Sequence, residues 1–380
     1  MPGFSCNHKS SLEWLHAQCR DTQRDENWLD GLDRRFVYTA ERIDKLSNAI
    51  RSGFKGKVPG DVAVFTCGSY GRFEASPGSD VDLIVIINKP TSKITKNISL
   101  DYCKQMAVIE NAVAKTIDDP FHGKDTPAWN DISFAKKYIS ESLFNDDIFR
   151  RWVPKDQILD NAFDEQDSTL RQIRRISLLF ESQPLLNNKF SNSFRQKALQ
   201  KLYGVKVDQS GMVIPAESWS LMVREVLRFS HLCHLFHHHK VHGQNKKPLI
   251  RTDKLFTTRR MLAWSVFLLL IEQRQGRDRI KDLFSSPVQR LCGLIETEMS
   301  AMKAKDHWPP SLRLLKEYAE ALERIDFERT FDDAGLSTQL GASRSLGQWV
   351  TVMEALLHEC LEFRNQHFGC DPKTWLGTMM

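Results

Sequence analysis

The chain has 380 residues, 41% of them hydrophobic, and a formal net charge of +5. That is apolar material for a sizeable core in two lobes rather than one, and the mildly basic balance admits an anionic partner, nucleotide or nucleic acid, without requiring it. Its eight cysteines stand at 6, 19, 67, 103, 233, 292, 360 and 370 with no CxxC pair, which excludes zinc-ribbon and thioredoxin-like readings and fits a reducing, cytoplasmic setting.

The opening MPGFSCNHKSSLEW has neither the apolar core nor the cleavage signature of a signal peptide. Residues 10–52 take a helical period, with Leu12, Trp14 and Leu15, then Phe36, Ala40, Ile43, Leu46 and Ile50. Residues 56–60, GKVPG, break it. A short strand is predicted over 61–66 and a second, rich in β-branched residues, over 79–87. Residues 89–92 end that strand, and 100–117 return to helical spacing. Residues 118–127 read as a loop and 129–135 as a third strand. From 139 onward almost no strand signal remains. Helices are predicted over 139–152, 167–182, 191–202, 217–240, 254–275, 278–304, 311–326 and 345–364. The expected fold class is therefore α+β: a small α/β lobe followed by an all-helical lobe, divided near 150–165. The most apolar run, Met261–Ile271, is too short to span a bilayer and reads as a buried helix, so no membrane partner is expected.

The chemistry concentrates in CGSYGRFEASPGSDVDLIVIIN, residues 67–88. Asp80 and Asp82 sit at i and i+2 of a predicted strand, which puts both side chains on one face. Two carboxylates that close repel unless a cation neutralises them. Magnesium is the natural candidate, a hard ion held by one or two carboxylates together with substrate phosphates. Upstream, Gly68 and Ser69 follow the first strand. Glycine permits close backbone approach, turn amides can cradle a phosphate, and Ser69 adds a hydroxyl donor. Arg72 is placed to reach a phosphate or to pair with a nearby carboxylate.

This pattern resembles the nucleotidyltransferase superfamily of DNA polymerase β, in which Gly-Gly or Gly-Ser precedes Asp-x-Asp or Asp-x-Glu by roughly a dozen residues. GSYGRFEASPGSDVDL more narrowly resembles the PII-uridylyltransferase group and its bacterial relatives, at Gly68, Ser69, Tyr70, Gly71, Arg72, Glu74, Pro77, Ser79, Asp80, Asp82 and Leu83. The resemblance implies a polymerase β-like nucleotidyltransferase domain over 56–155, N-terminal helices over 1–55 packing on it, and a helical domain over 156–380. It implies two Mg2+ ions, with Mn2+ the alternative, on Asp80 and Asp82, and an NTP whose phosphates meet Gly68, Ser69 and Arg72. It also implies an acceptor hydroxyl attacking the α-phosphate, with pyrophosphate leaving. Many members add a third carboxylate, for which Asp131 is the candidate, with Asp125 and Glu141 as rivals. Glu181, in LFESQPLL, resembles a Leu-Glu-(Ala/Ser)-Arg-Pro-Leu stretch and reads as structural or as an inter-lobe contact. Gln183 stands where relatives often have Arg.

In the helical lobe, residues 246–260 hold six basic residues beside few acids. Lys254, Arg259 and Arg260 are the candidates there for the β- and γ-phosphates, or for meeting an RNA or protein acceptor. His231, His234 and His238 fall on one helical face, a zinc-capable spacing whose plainer reading is a polar helix face. The expected activity is NMP transfer to a hydroxyl of a protein or RNA. Synthesis of a nucleotide second messenger and a catalytically silent nucleotide-binding regulator or antitoxin are the alternatives.

Overall fold

The computed structural model describes residues 4–22, 25–77, 79, 81–116, 152–159, 169–208, 211–241, 249–274, 280–302, 308–333 and 339–369. Two compact units divide the chain. One is Arg35–Leu202; the other joins Met1–Arg34 to Tyr203–Met380. In chain order the elements begin α1 (Phe4–Asp21), α2 (Leu29–Gly53), β1 (Val62–Cys67), α3 (Gly68–Gly71), β2 (Asp82–Ile87) and α4 (Lys96–Thr116). There follow β3 (Trp152–Pro154), α5 (Lys155–Leu159), α6 (Thr169–Phe180), β4 (Gln183–Leu186) and α7 (Asn188–Tyr203). The remainder is β5 (Lys206–Asp208), β6 (Gly211–Val213), α8 (Ala216–Val241), α9 (Leu249–Arg274), α10 (Pro287–Ala301), α11 (Pro310–Asp333) and α12 (Gln339–Phe368).

In the Arg35–Leu202 unit the sheet order is β3-β2-β1-β4. β1 pairs antiparallel with β2, Val62 opposite Ile87 and Cys67 opposite Asp82. Successive side chains point to opposite faces, and each face has its own cover. Val62, Val64, Leu83, Val85 and Ile87 share a core with Leu46 and Ile50 of α2 and Met106, Ile109 and Val113 of α4. Ala63, Phe65, Ile84 and Ile86 share another with Ile158 of α5, Leu178 of α6 and Phe194 of α7. Burial on both sides is why these strands read as unbroken apolar runs rather than as an alternation. Each fully buried Val, Leu or Ile contributes about 1.5–3 kcal/mol.

The outer strands were not expected. β4 lies antiparallel to β1 with a register shift at Val64/Phe65, and β3 runs parallel to β2. Each carries a proline, Pro184 or Pro154, which cannot donate to a ladder and is tolerated at edges and bulges. The predicted absence of strands after residue 139 is thus corrected. The predicted second strand begins at Asp82 rather than 79, because Ser79 N–H turns back to the Ser76 carbonyl at 2.9 Å. The predicted strand over 129–135 lies outside the described residues.

α6 stops where Arg195 of α7 takes its terminal carbonyls. The guanidinium donates to the Leu178 carbonyl at 3.2 Å, to the Ser182 carbonyl, and to Ser182 Oγ at 2.5 Å. A cation at a helix C-terminus satisfies acceptors that the helix cannot. Arg195 also stands 5.2 Å from the centre of the Phe65 ring, and burial pulls its pKa down to about 10. The chain then re-enters the sheet as β4, with Glu181 at the bend.

In the other unit, α9 is buried throughout Met261–Ile271 and packs on α8, α10, α11 and α12. The unit is not all-helical: β5 and β6 form an antiparallel hairpin. The single helix expected over 278–304 is interrupted, because Ser286 and Gln289 form a capping box and Pro287 opens α10. In its core Arg364 of α12 donates to Glu298 at 2.7 Å and pairs with Glu272 at 3.4 Å, all three fully buried. Among the described residues no helix is long and apolar enough to cross a membrane.

Candidate functional site

β1 delivers the chain to Gly68 at the end of the sheet, directly beside the start of β2. Gly68 has φ +63, a left-handed conformation that side chains with a Cβ seldom adopt. A Cβ there would lie 2.3 Å from Asp82 Oδ2. The carboxylate of Asp82 therefore rests over the bare backbone of the turn, in a space that only glycine leaves. Gly71 meets a similar limit, since its Cβ would fall 1.9 Å from the carbonyl oxygen of Glu181.

The loop after the turn is pinned on every side. Arg72 N–H donates to the Gly68 carbonyl at 3.1 Å and Glu74 N–H to the Ser69 carbonyl at 2.8 Å. Arg35 of α2 reaches the Glu74 carbonyl at 2.7 Å, and Ala75 N–H donates to Thr39 Oγ1 at 3.0 Å. Tyr70 is fully buried in the core shared with α2 and α4. Arg72 donates through Nε to Glu74 at 2.6 Å and through Nη1 to Glu181, with all three side chains buried.

Among the described residues from 62 to 87, every one is buried except Ser69, Pro77 and Asp82. This buried layer thus meets solvent at the Ser69 hydroxyl, which follows the glycine turn, and at the Asp82 carboxylate, which lies against it. Asp82 is a hard oxygen donor, half-exposed, over a turn with no side chain in the way. That donor chemistry fits a magnesium ion. Asp80 and Asp131 lie outside the described residues.

The remaining expected site residues are placed differently. Arg72 is 3% exposed and held by two carboxylates, which makes it a brace of the loop. Arg259 is buried on α9, 5.6 Å from the Phe229 ring centre, and Arg260 is paired with Glu354 of α12. Burial lowers the Arg260 pKa, which Glu354 partly restores. Both arginines are thus engaged inside their own unit. Lys254 lies on α9, its side chain outside the described residues. His231 is exposed on α8; the side chains of His234 and His238 lie outside the described residues. Sequence reasoning missed the Arg72–Glu181 tie and the hold of Arg35 on the loop. Pro184 after the amphipathic helix 169–180 was the available signal that the chain turns there and continues as a strand.

Residues 43–140 match the family model of the nucleotidyltransferase domain. The match supports a transferase of that superfamily and names no group within it. Its span takes in β1, the Gly68 turn, β2 and α4, and it stops before α6 and β4, which complete the same unit. Among curated proteins none matches the chain.

Proposed function

We propose that the protein is a magnesium-dependent nucleotidyltransferase that moves an NMP from an NTP onto a hydroxyl of a protein or RNA acceptor. The observation that carries this reading is Asp82 lying half-exposed over Gly68 at the end of the buried β1–β2 layer, within a span that matches the nucleotidyltransferase domain. Gly68 and Ser69 receive the triphosphate, by close backbone approach and by a hydroxyl donor. Asp82, with Asp80, holds Mg2+, which when bound neutralises charge on the phosphates and the departing pyrophosphate. Asp131 is proposed to take the acceptor proton. The acceptor oxygen forms a bond to the α-phosphorus, the bond from that phosphorus to the bridging oxygen breaks, and pyrophosphate departs with the electron pair. The rigid loop supplies position rather than covalent chemistry. Arg72, Arg259 and Arg260 are left out of the phosphate set because each is engaged inside its own unit.

The purified protein, incubated with Mg2+ and each labelled NTP with and without cell lysate, tests the reading. Label on a macromolecule is the expected result, and Asp82→Ala should reduce it by about a hundredfold or more. A small labelled product would point to a second-messenger synthase, and nucleotide binding without turnover to a silent regulator. An Asp82→Ala protein with undiminished turnover would sink the site assignment.

A further inference from the structure

Glu181 lies 109 residues from Arg72 in sequence, beyond the span that matches the nucleotidyltransferase domain, yet it touches the loop just after the Gly68–Ser69 turn twice, at Gly71 and Arg72. Its carbonyl oxygen packs where a Gly71 side chain would begin, and its carboxylate accepts from Arg72 Nη1. The next strand adds a third tie, as Gln183 Nε2 donates to the Gly71 carbonyl at 3.3 Å. Arg72 in turn holds Gly68 through its backbone N–H at 3.1 Å, and Gly68 lies under Asp82. A continuous line of contacts therefore runs from the end of α6 to the residue that sets the turn against the carboxylate.

Stability alone is a weak reason for such a tie. Charges taken fully out of water pay a desolvation cost that their attraction repays only in part, and apolar replacements of like volume often do as well. What an apolar cluster cannot supply is direction. A guanidinium forked between two carboxylates fixes the orientation of Arg72, and through it the backbone of the turn.

We propose that Glu181 is a positioning residue for the nucleotide's phosphates, acting through Arg72 to hold the Gly68–Ser69 turn in register with Asp82. This rests on the nucleotidyltransferase reading above. It also makes the α6–β4 segment part of the working site, although that segment lies outside the matched span.

The test compares the dissociation constants of the four Mg·NTPs, together with thermal midpoints, for the wild type, Glu181→Gln and Val113→Ala. Gln keeps the shape of Glu181 and removes its charge, so the ion pair with Arg72 becomes a weaker hydrogen bond from the guanidinium to an amide oxygen. Val113 belongs to the core on α4 and makes none of the polar contacts that hold the turn, so its truncation serves as the control for loss of stability. Glu181→Gln should weaken the tightest-bound NTP about tenfold, one charge-assisted hydrogen bond's worth. Val113→Ala should lower the midpoint with binding unchanged. If Glu181→Gln does not fold, Arg72→Lys, which keeps the cation but loses the fork, should give the same weakening. Nucleotide binding by the variant equal to wild type would overturn the positioning role and leave the transferase reading standing. A wild type that binds none of the four NTPs would overturn both.

Discussion

Gly68 carries two constraints at once, a left-handed backbone and an acidic oxygen where its side chain would start. Alanine there costs about 1–2 kcal/mol for the backbone conformation alone. It must also push the Asp82 carboxylate aside. Gly60 offers the contrast, since a Cβ there meets nothing within 4 Å. Gly68→Ala should lose transferase activity at least about tenfold, and Gly60→Ala should retain it, by the labelled-NTP assay. Equal activity of the two variants would mean that the Gly68–Asp82 approach is not part of the site. What was readable locally is the approach of Gly68 to Asp82: a glycine after one apolar strand and an acid opening the next stand within sixteen residues. The tie from Arg72 to Glu181 was not, because nothing in either neighbourhood says which distant carboxylate a buried guanidinium will meet.

Elements show the same division between local and distant information. β1 and β2 declare themselves as apolar, β-branched runs and α6, α7 and α8 by their helical period, so these were foreseen to within a few residues, whereas α1 and α2 were expected as one helical stretch over 10–52. β4 is four residues long and contains a proline; it exists because β1 offers an unpaired edge and Ser47 of α2 accepts it, donating to the Leu185 carbonyl at 2.8 Å. The link between α1 and α2 is likewise made by partners rather than by pattern. His16 of α1 lies between two carboxylates, Nδ1 at 2.9 Å from Glu26 and Nε2 at 2.5 Å from Asp33 of α2. Burial by itself would lower the histidine's pKa, but the two hydrogen bonds and charges outweigh it and the net shift is upward. A raised folded pKa gives stability that is fully present below the unfolded value, about 6.5, and is lost as pH rises through the folded value. The thermal midpoint should therefore fall as the solution is taken from pH 6 to above the folded pKa, and His16→Gln should flatten that dependence. A wild type and a variant with parallel pH profiles would show that the clamp does not titrate with folding.

At the scale of the whole molecule, the chain closes one unit with residues from both ends. α1 and the first turns of α2 belong with Tyr203–Met380, while the sheet and its helices form the insert between them. Within the discontinuous unit α1 packs on α10, where Cys292 Sγ lies 3.9 Å from the Ser11 carbonyl oxygen. Arg34 of α2 pairs with Glu323 of α11 at 2.8 Å. Period and composition reveal that α1 is amphipathic, but the helix it packs on within its unit, α10, meets it through Cys292, 281 residues from Ser11, so that packing was not legible from the sequence. The division makes a prediction about how local damage spreads. Leu15 of α1 is fully buried, and truncating such a leucine costs about 2–5 kcal/mol. Native-state hydrogen exchange on Leu15→Ala should then show faster amide exchange in α10, near the other end of the chain. α4, closer in sequence and in the other unit, should keep its protection. Loss of protection in α4 and not in α10 would mean that the N-terminal helix is stabilised by the sheet-bearing unit instead.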